Sequence, residues 1–158
     1  MSGVVEPRSS DAILVLARRV ILLILVLAMS GSLMELLLTE HFEDVWQLIP
    51  LVLLVLGLGA TAWHAHAPGR LSARTLRALM MLFVLSGFLG LFLHYRGNAE
   101  FEREQNPRAT RWALFREAMM GGVPALAPGV MIQIGLLGLL YTFVSRTART
   151  RNEDRGSV

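Results

Sequence analysis

The chain has 158 residues, 54% of them hydrophobic and 17% charged, with a net charge of +3, no lysine and no cysteine. Its apolar share exceeds the roughly 45–50% of ordinary soluble domains, its mean hydropathy is +0.53, and the apolar residues collect in four blocks with the charges between them. This pattern argues against a soluble single-domain enzyme, a disordered chain and a disulfide scaffold, and without cysteine there is no thiolate zinc site, thiol catalysis or cysteine-ligated iron–sulfur cluster.

A bilayer's hydrocarbon core is roughly 30 Å thick and takes about 20 apolar helical residues, because a segment in lipid must satisfy its own backbone polar groups. Four segments meet that demand: about Val20–Leu38, with Glu35 its one ionisable side chain; about Val45–His64; about Ala78–Tyr95; and about Val123–Val144, approached through Pro124 and Pro128. In the second, Trp46 and Trp63 are spaced like two interfacial aromatic belts, about 25 Å apart along a helix. Pro50 is expected in its first turn, where a missing N–H costs little. Arg18-Arg19 and Ala28-Met29-Ser30 give the first block the outline of a cleavable signal. The apolar run nevertheless continues through Leu33–Leu38, so a retained helix is expected, with Ala12–Ala17 extending it or lying at the interface. The fold class expected is all-α: a polytopic membrane protein, one membrane domain over residues 1–158, with four transmembrane helices in a bundle.

An even number of spans puts both termini on one side. That side carries Arg8, Arg18, Arg19, Arg70, Arg74, Arg77, Arg146, Arg149, Arg151 and Arg155, against Arg96, Arg103, Arg108, Arg111 and Arg116 on the other. The positive-inside bias therefore places the N and C termini and the middle loop in the cytoplasm, on a multi-pass protein of the cell (inner) membrane. The basic balance then reads as a topology signal and an attraction to anionic headgroups. No basic face on a folded domain points to nucleic acid. The expected partners are the lipid bilayer and either other membrane subunits or further copies of the chain.

Between the second and third spans, Pro68-Gly69 marks a turn, and the tail Arg146–Val158 has the composition of a disordered cytoplasmic segment. The second outer loop, 96–122, is long enough to carry structure of its own. Asn106-Pro107 has the form of an N-cap and first helical residue, and Gly121-Gly122 that of a stop. A short amphipathic helix over Pro107–Met120, with Trp112, Phe115 and Met119 on one stripe, would lie on the outer membrane surface or fold over the bundle mouth as a lid.

Glu35 is the one carboxyl inside an apolar span. Ionising it in hydrocarbon is costly, so such a residue faces the bundle interior, pairs, or reaches the headgroups. Read functionally it is a proton or ion site, with Gln133, the polar group at depth in the fourth span, as companion. In the first outer loop a continuing helix would align Glu40 with Glu43 and Asp44, beside His41. At the other outer end, His94 precedes Glu100, Glu102 and Glu104, which share one side if the segment is extended. His41, Glu43, His94, Glu100 and Glu102 are thus candidate outer-face ligands for a divalent metal, although no metal-motif spacing occurs and Arg96, Arg103 and Arg108 stand ready to neutralise the acids. Haem ligation wants two histidines from different helices at one depth. His41 and His94 lie at helix ends, while His64 and His66 diverge on one terminus. No catalytic residue and no cofactor is expected: Walker, G-x-G-x-x-G, G-x-S-x-G and H-E-x-x-H motifs are absent.

Small residues one turn apart, Ala28 with Ser32, Gly57 with Thr61 and Ser86 with Gly90, together with Gly135 and Gly138, allow helix backbones to approach closely. Few polar groups at depth and much packing surface point to a non-catalytic accessory or scaffold subunit of a membrane assembly. The alternatives are a small proton-coupled transporter or channel using Glu35, and a metal- or haem-binding membrane protein with an outer-face site.

Overall fold

The computed structural model describes residues 9–40, 43–120 and 126–156. Their regular structure is entirely helical: α1 (Ser9–Leu38), α2 (Val45–His66), α3 (Arg70–Gln105), α4 (Arg111–Met120) and α5 (Gly129–Gly156). The part of α1 from Ala12 onward, α2 and α3 are each long and apolar enough to cross a membrane, whereas the apolar part of α5, Gly129–Ser145, is shorter. α1 runs unbroken through Ala12–Ala17 and through Ser30-Gly31-Ser32. α2 starts where Gln47 Oε1 reaches back to accept from the backbone N–H groups of Glu43 (2.9 Å) and Asp44 (3.3 Å), covering donors that the helix start leaves open.

Several boundaries differ from the sequence expectation. Pro50 lies inside α2, in its second turn rather than its first, so it removes a helical hydrogen bond there. α1 ends at Leu38 and Glu40 adopts φ 52°, so no continuous helix aligns Glu40 with Asp44. The third helix does not stop at Tyr95 but continues to Gln105. Beyond the apolar block it is sustained by an Arg96 Nε–Glu100 Oε1 pair at 2.8 Å, one turn apart, and by burial of Asn98 and Ala99. Asn106 consequently caps the end of α3, donating its N–H to Glu102 O at 2.8 Å, and does not open the next helix. α4 begins at Arg111 instead of Pro107, with Thr110 Oγ1 accepting from Ala113 N at 3.3 Å as an N-cap hydroxyl does. The segment 146–156, whose composition reads as disordered, continues α5. Adding residues to an existing helix avoids the cost of nucleation, and Arg and Ala are good helix formers.

The helices pack in a closed circuit: α1 against α2 and α5, α3 against α2 and α5, with α4 lying on α3. The tightest seam joins α3 and α5. A methyl group added to Gly135 would stand 2.6 Å from the Met80 carbonyl oxygen and 3.0 Å from Val84 N. One on Gly87 would stand 2.9 Å from Ile132 N, one on Gly90 2.6 Å from Pro128 Cβ, and one on Gly138 would collide with the Met80 thioether. As α3 positions rise from 80 to 90, their α5 partners fall from 138 to 128, so the two helices run antiparallel and in register along α3's apolar length. Gly57 brings α2 against Phe83 and Met29 in the same way. Leu25, Met29, Leu54, Leu76, Met80, Phe83, Ile134 and Tyr141 fill the core. Large apolar side chains also cover the outside, among them Leu23, Leu27, Val52, Leu56, Leu85, Phe88 and Phe143. An exterior this apolar is unlike a soluble monomer's surface and fits contact with lipid.

Gly135 is hemmed in by backbone atoms, which cannot swing aside, while Gly59 has open space around its Cα. Gly135→Val is expected to lower stability by about 1–3 kcal/mol, read as a fall in thermal midpoint of the detergent-solubilised protein. Gly59→Ala should leave the midpoint unchanged or raise it slightly.

Candidate functional site

The described residues among those singled out from the sequence are spread over α1, α3, α5 and the start of α2. Glu35 and Gln133 are exposed on the outer surfaces of α1 and α5, Glu43 is exposed before α2, and His94 is half-buried on α3. His41 lies outside the described residues. Glu100 is engaged by Arg96. Because α3 is helical here, Glu100 and Glu102 lie about 200° apart around its axis instead of sharing the side an extended strand would offer. Among the described residues, no three His, Asp or Glu side chains come close enough to hold a metal ion.

A polar cluster forms instead at the arginine-rich end of the circuit, from all four packed helices. The α2–α3 turn over Ala67–Gly69 folds Ser72 back beneath the end of α2. Ser72 Oγ accepts from Gly69 N–H at 3.0 Å and lies 3.0 Å from Ala67 O and 3.2 Å from Gly69 O. His64 Nδ1 approaches the same oxygen at 2.9 Å. A hydroxyl has one proton to give, and two carbonyls already compete for it. A neutral His64 ring therefore donates from Nδ1 to Ser72 Oγ and keeps its lone pair on Nε2. His64 is 4% exposed and meets Tyr141 of α5 edge-on, with ring centroids 5.9 Å apart and planes at 87°. Arg18 of α1 lies over the Tyr141 ring, its Cζ 5.9 Å from the centroid, within cation–π range.

His64 Nε2, Thr61 Oγ1, Tyr141 Oη and Ser145 Oγ are buried there without a hydrogen-bond partner among the described residues. Such atoms are expensive to leave unsatisfied, and bridging water is the usual remedy. Among the described residues the cluster joins side chains of α1, α2, α3 and α5 and includes no acid. From the sequence, His64 stands only at the end of the second apolar segment, one of two histidines that diverge on a helix terminus. The signal available was helical spacing: Gly57, Ala60, Thr61 and His64 recur on one face of α2, continuing the small-residue patch into the polar cluster.

At the opposite end, α4 is pinned to α3. Asn98 Nδ2 donates to Ala118 O at 2.8 Å, Ala118 is fully buried, and Phe115 packs between Tyr95 and Trp112 at centroid distances of 5.9 and 5.7 Å. Leu91, Phe92, Tyr95, Phe115, Met119 and Leu126 line an open apolar pocket of about 390 Å³. A second open pocket, about 310 Å³, lies along α2 between Val45 and Leu53. Neither is lined by an ionisable acid or a histidine. No protein-family model, no curated protein and no solved structure matches the chain.

Ser72→Ala removes the acceptor of both the Gly69 N–H and the His64 ring. It should cost about 1–3 kcal/mol and, in nitrogen-15 histidine spectra, abolish the Nδ1–H tautomer signal of His64 that the intact protein is expected to give.

Proposed function

We propose that this chain is a non-catalytic scaffold or accessory subunit of a membrane assembly, spanning the cell (inner) membrane four times with both termini in the cytoplasm. The observation that carries this reading is the sealed interior. Glycine-mediated contact along α3–α5 and α2–α3 leaves the centre to Leu25, Met29, Leu54, Met80 and Phe83, each fully buried, so the helices offer adhesive surface and, among the described residues, no polar route between the two ends. Four crossings are supported by the antiparallel register of α5 on α3. If α3 crosses, its partner shares the same depth. The apolar part of α5 is about 25 Å long at 1.5 Å per residue, a mismatch that local thinning and snorkelling arginines absorb. The ten-to-five arginine asymmetry supports the orientation, and α4, with Trp112 and Phe115 exposed, has the makings of an interfacial helix on the outer surface.

A proton-coupled transporter using Glu35 needs that carboxyl inside the bundle, and it faces outward. Purification of the full chain from its native membrane in mild detergent tests the two readings together. The scaffold reading expects a complex of fixed stoichiometry with at least one different membrane protein, and no substrate-driven proton flux in liposomes. A lone species that moves protons, and stops doing so in Glu35→Gln, would overturn it.

A further inference from the structure

Two polar side chains that face outward from the apolar walls, Glu35 and Gln133, lie on one lateral face. Around α1, Met29, Leu25, Ser32 and Glu35 follow one another through an arc of about 120° at 100° per residue. Met29 abuts Gly57 and so marks the α2 side. Leu25 and Ser32 are buried, and Glu35 emerges exposed at the far side of the arc, toward α5. Around α5, Ile132, Gly135 and Gly138 face α3, and Tyr141 faces Arg18 of α1. The same rotation continues through half-buried Leu137 to exposed Gln133. Both polar groups therefore flank the outside of the α1–α5 seam.

Both are also near the same end of the circuit, Glu35 three residues before the end of α1 and Gln133 four residues after the start of α5. Side chains lean toward their helix N-terminus. In these antiparallel helices that sends the Glu35 carboxyl inward from its end and the Gln133 amide outward, toward a common level. Neither makes a side-chain hydrogen bond among the described residues. On the same wall Gly31 has nothing within 4 Å, leaving room for a close backbone approach.

We infer that this wall is a homodimer interface in which Glu35 of one copy accepts from Gln133 of the other, twice. A two-fold axis along the membrane normal sets α1 of each copy opposite α5 of its partner without changing depth. It therefore converts a carboxylate and an amide on one face into two reciprocal acceptor–donor pairs, as an isologous interface requires. Burying both polar groups against each other removes the cost of exposing them to hydrocarbon. The inference deepens the scaffold reading by naming a second copy as one of the subunits, and it rests on that reading's membrane-embedded circuit of helices.

The chain has no cysteine, so placed cysteines report contacts directly. Glu35→Cys with one tag and Gln133→Cys with another are co-expressed and oxidised in native membranes. This mixed dimer retains one of its two polar pairs. The expected result is a disulfide-linked heterodimer carrying both tags, at least about five-fold above the yield of a Leu48→Cys pair, which reports the exposed α2 wall near the same end. In liposomes, Glu35→Leu with Gln133→Leu should weaken dimerisation about ten-fold. A mixed-tag yield no higher than that of the Leu48→Cys pair overturns the inference, as does cross-linking of Glu35→Cys chiefly to itself or to a different membrane protein. The last outcome would leave the scaffold reading standing, whereas a cross-linked homodimer that purifies with no other subunit would sustain the inference and count against the wider assembly.

Discussion

Helices surrounded by lipid gain nothing by hiding apolar side chains from one another, so their association depends on how closely their surfaces can meet. Here that closeness is supplied where side chains are missing. Gly135 sits against the Met80 carbonyl, Gly87 against the Ile132 backbone and Gly57 against the Phe83 ring. The α3–α5 seam sets the antiparallel register of the two helices. That register brings Tyr141 to the level of His64 and Ser72 and leaves Gln133 turned away from the core. The level and facing of Tyr141 and Gln133 follow from those glycine contacts.

Polar chemistry is accordingly pushed to the two ends and to one wall. At the arginine-rich end, Ser72 ties the α2–α3 turn to His64, and Arg18 closes over Tyr141, so each packed helix contributes a polar group to a single layer. Such a layer favours one register, since sliding α2 or α3 by a turn would part the Ser72 hydroxyl from the His64 imidazole. At the other end, one amide hydrogen bond from Asn98 and the Tyr95–Phe115–Trp112 aromatic row hold α4 against the extended α3. The middle is mainly hydrocarbon on hydrocarbon, with Ser32 of α1 buried among it.

Much of this was legible in the residues. Blocks of apolar sequence locate α1, α2, α3 and α5, because a helix in lipid must be apolar over nearly its whole length, and the small residues at 57, 90, 135 and 138 foretell close contact. Helix ends were harder to read. Arg96–Gln105 looks like loop by hydropathy, yet the Arg96–Glu100 pair and the Asn98 contact keep it helical, and that continuation shifts Asn106 from an N-cap to a C-cap. The same shift dissolves the alternating row of Glu100, Glu102 and Glu104 that an extended segment would have formed. The His64 cluster was illegible for a different reason. Its members come from four helices, and no spacing along one chain segment reveals that Ser72, Tyr141 and Arg18 meet the same ring. Glu35 and Gln133 were recognisable as unusual from the sequence, but whether they faced in or out depended on which flank of each helix the glycines had already claimed.

Four crossings require α5 to cross the bilayer alongside α3, which can be read from which side its far end emerges. In the cysteine-free chain, Thr110→Cys and a single cysteine appended after Val158 would each be probed on intact cells with a membrane-impermeant maleimide. Four crossings predict that Thr110→Cys is labelled and the appended cysteine is labelled only after the membrane is opened. Labelling of both from the same side would mean that the α3–α5 pair does not cross together, and would contradict the account.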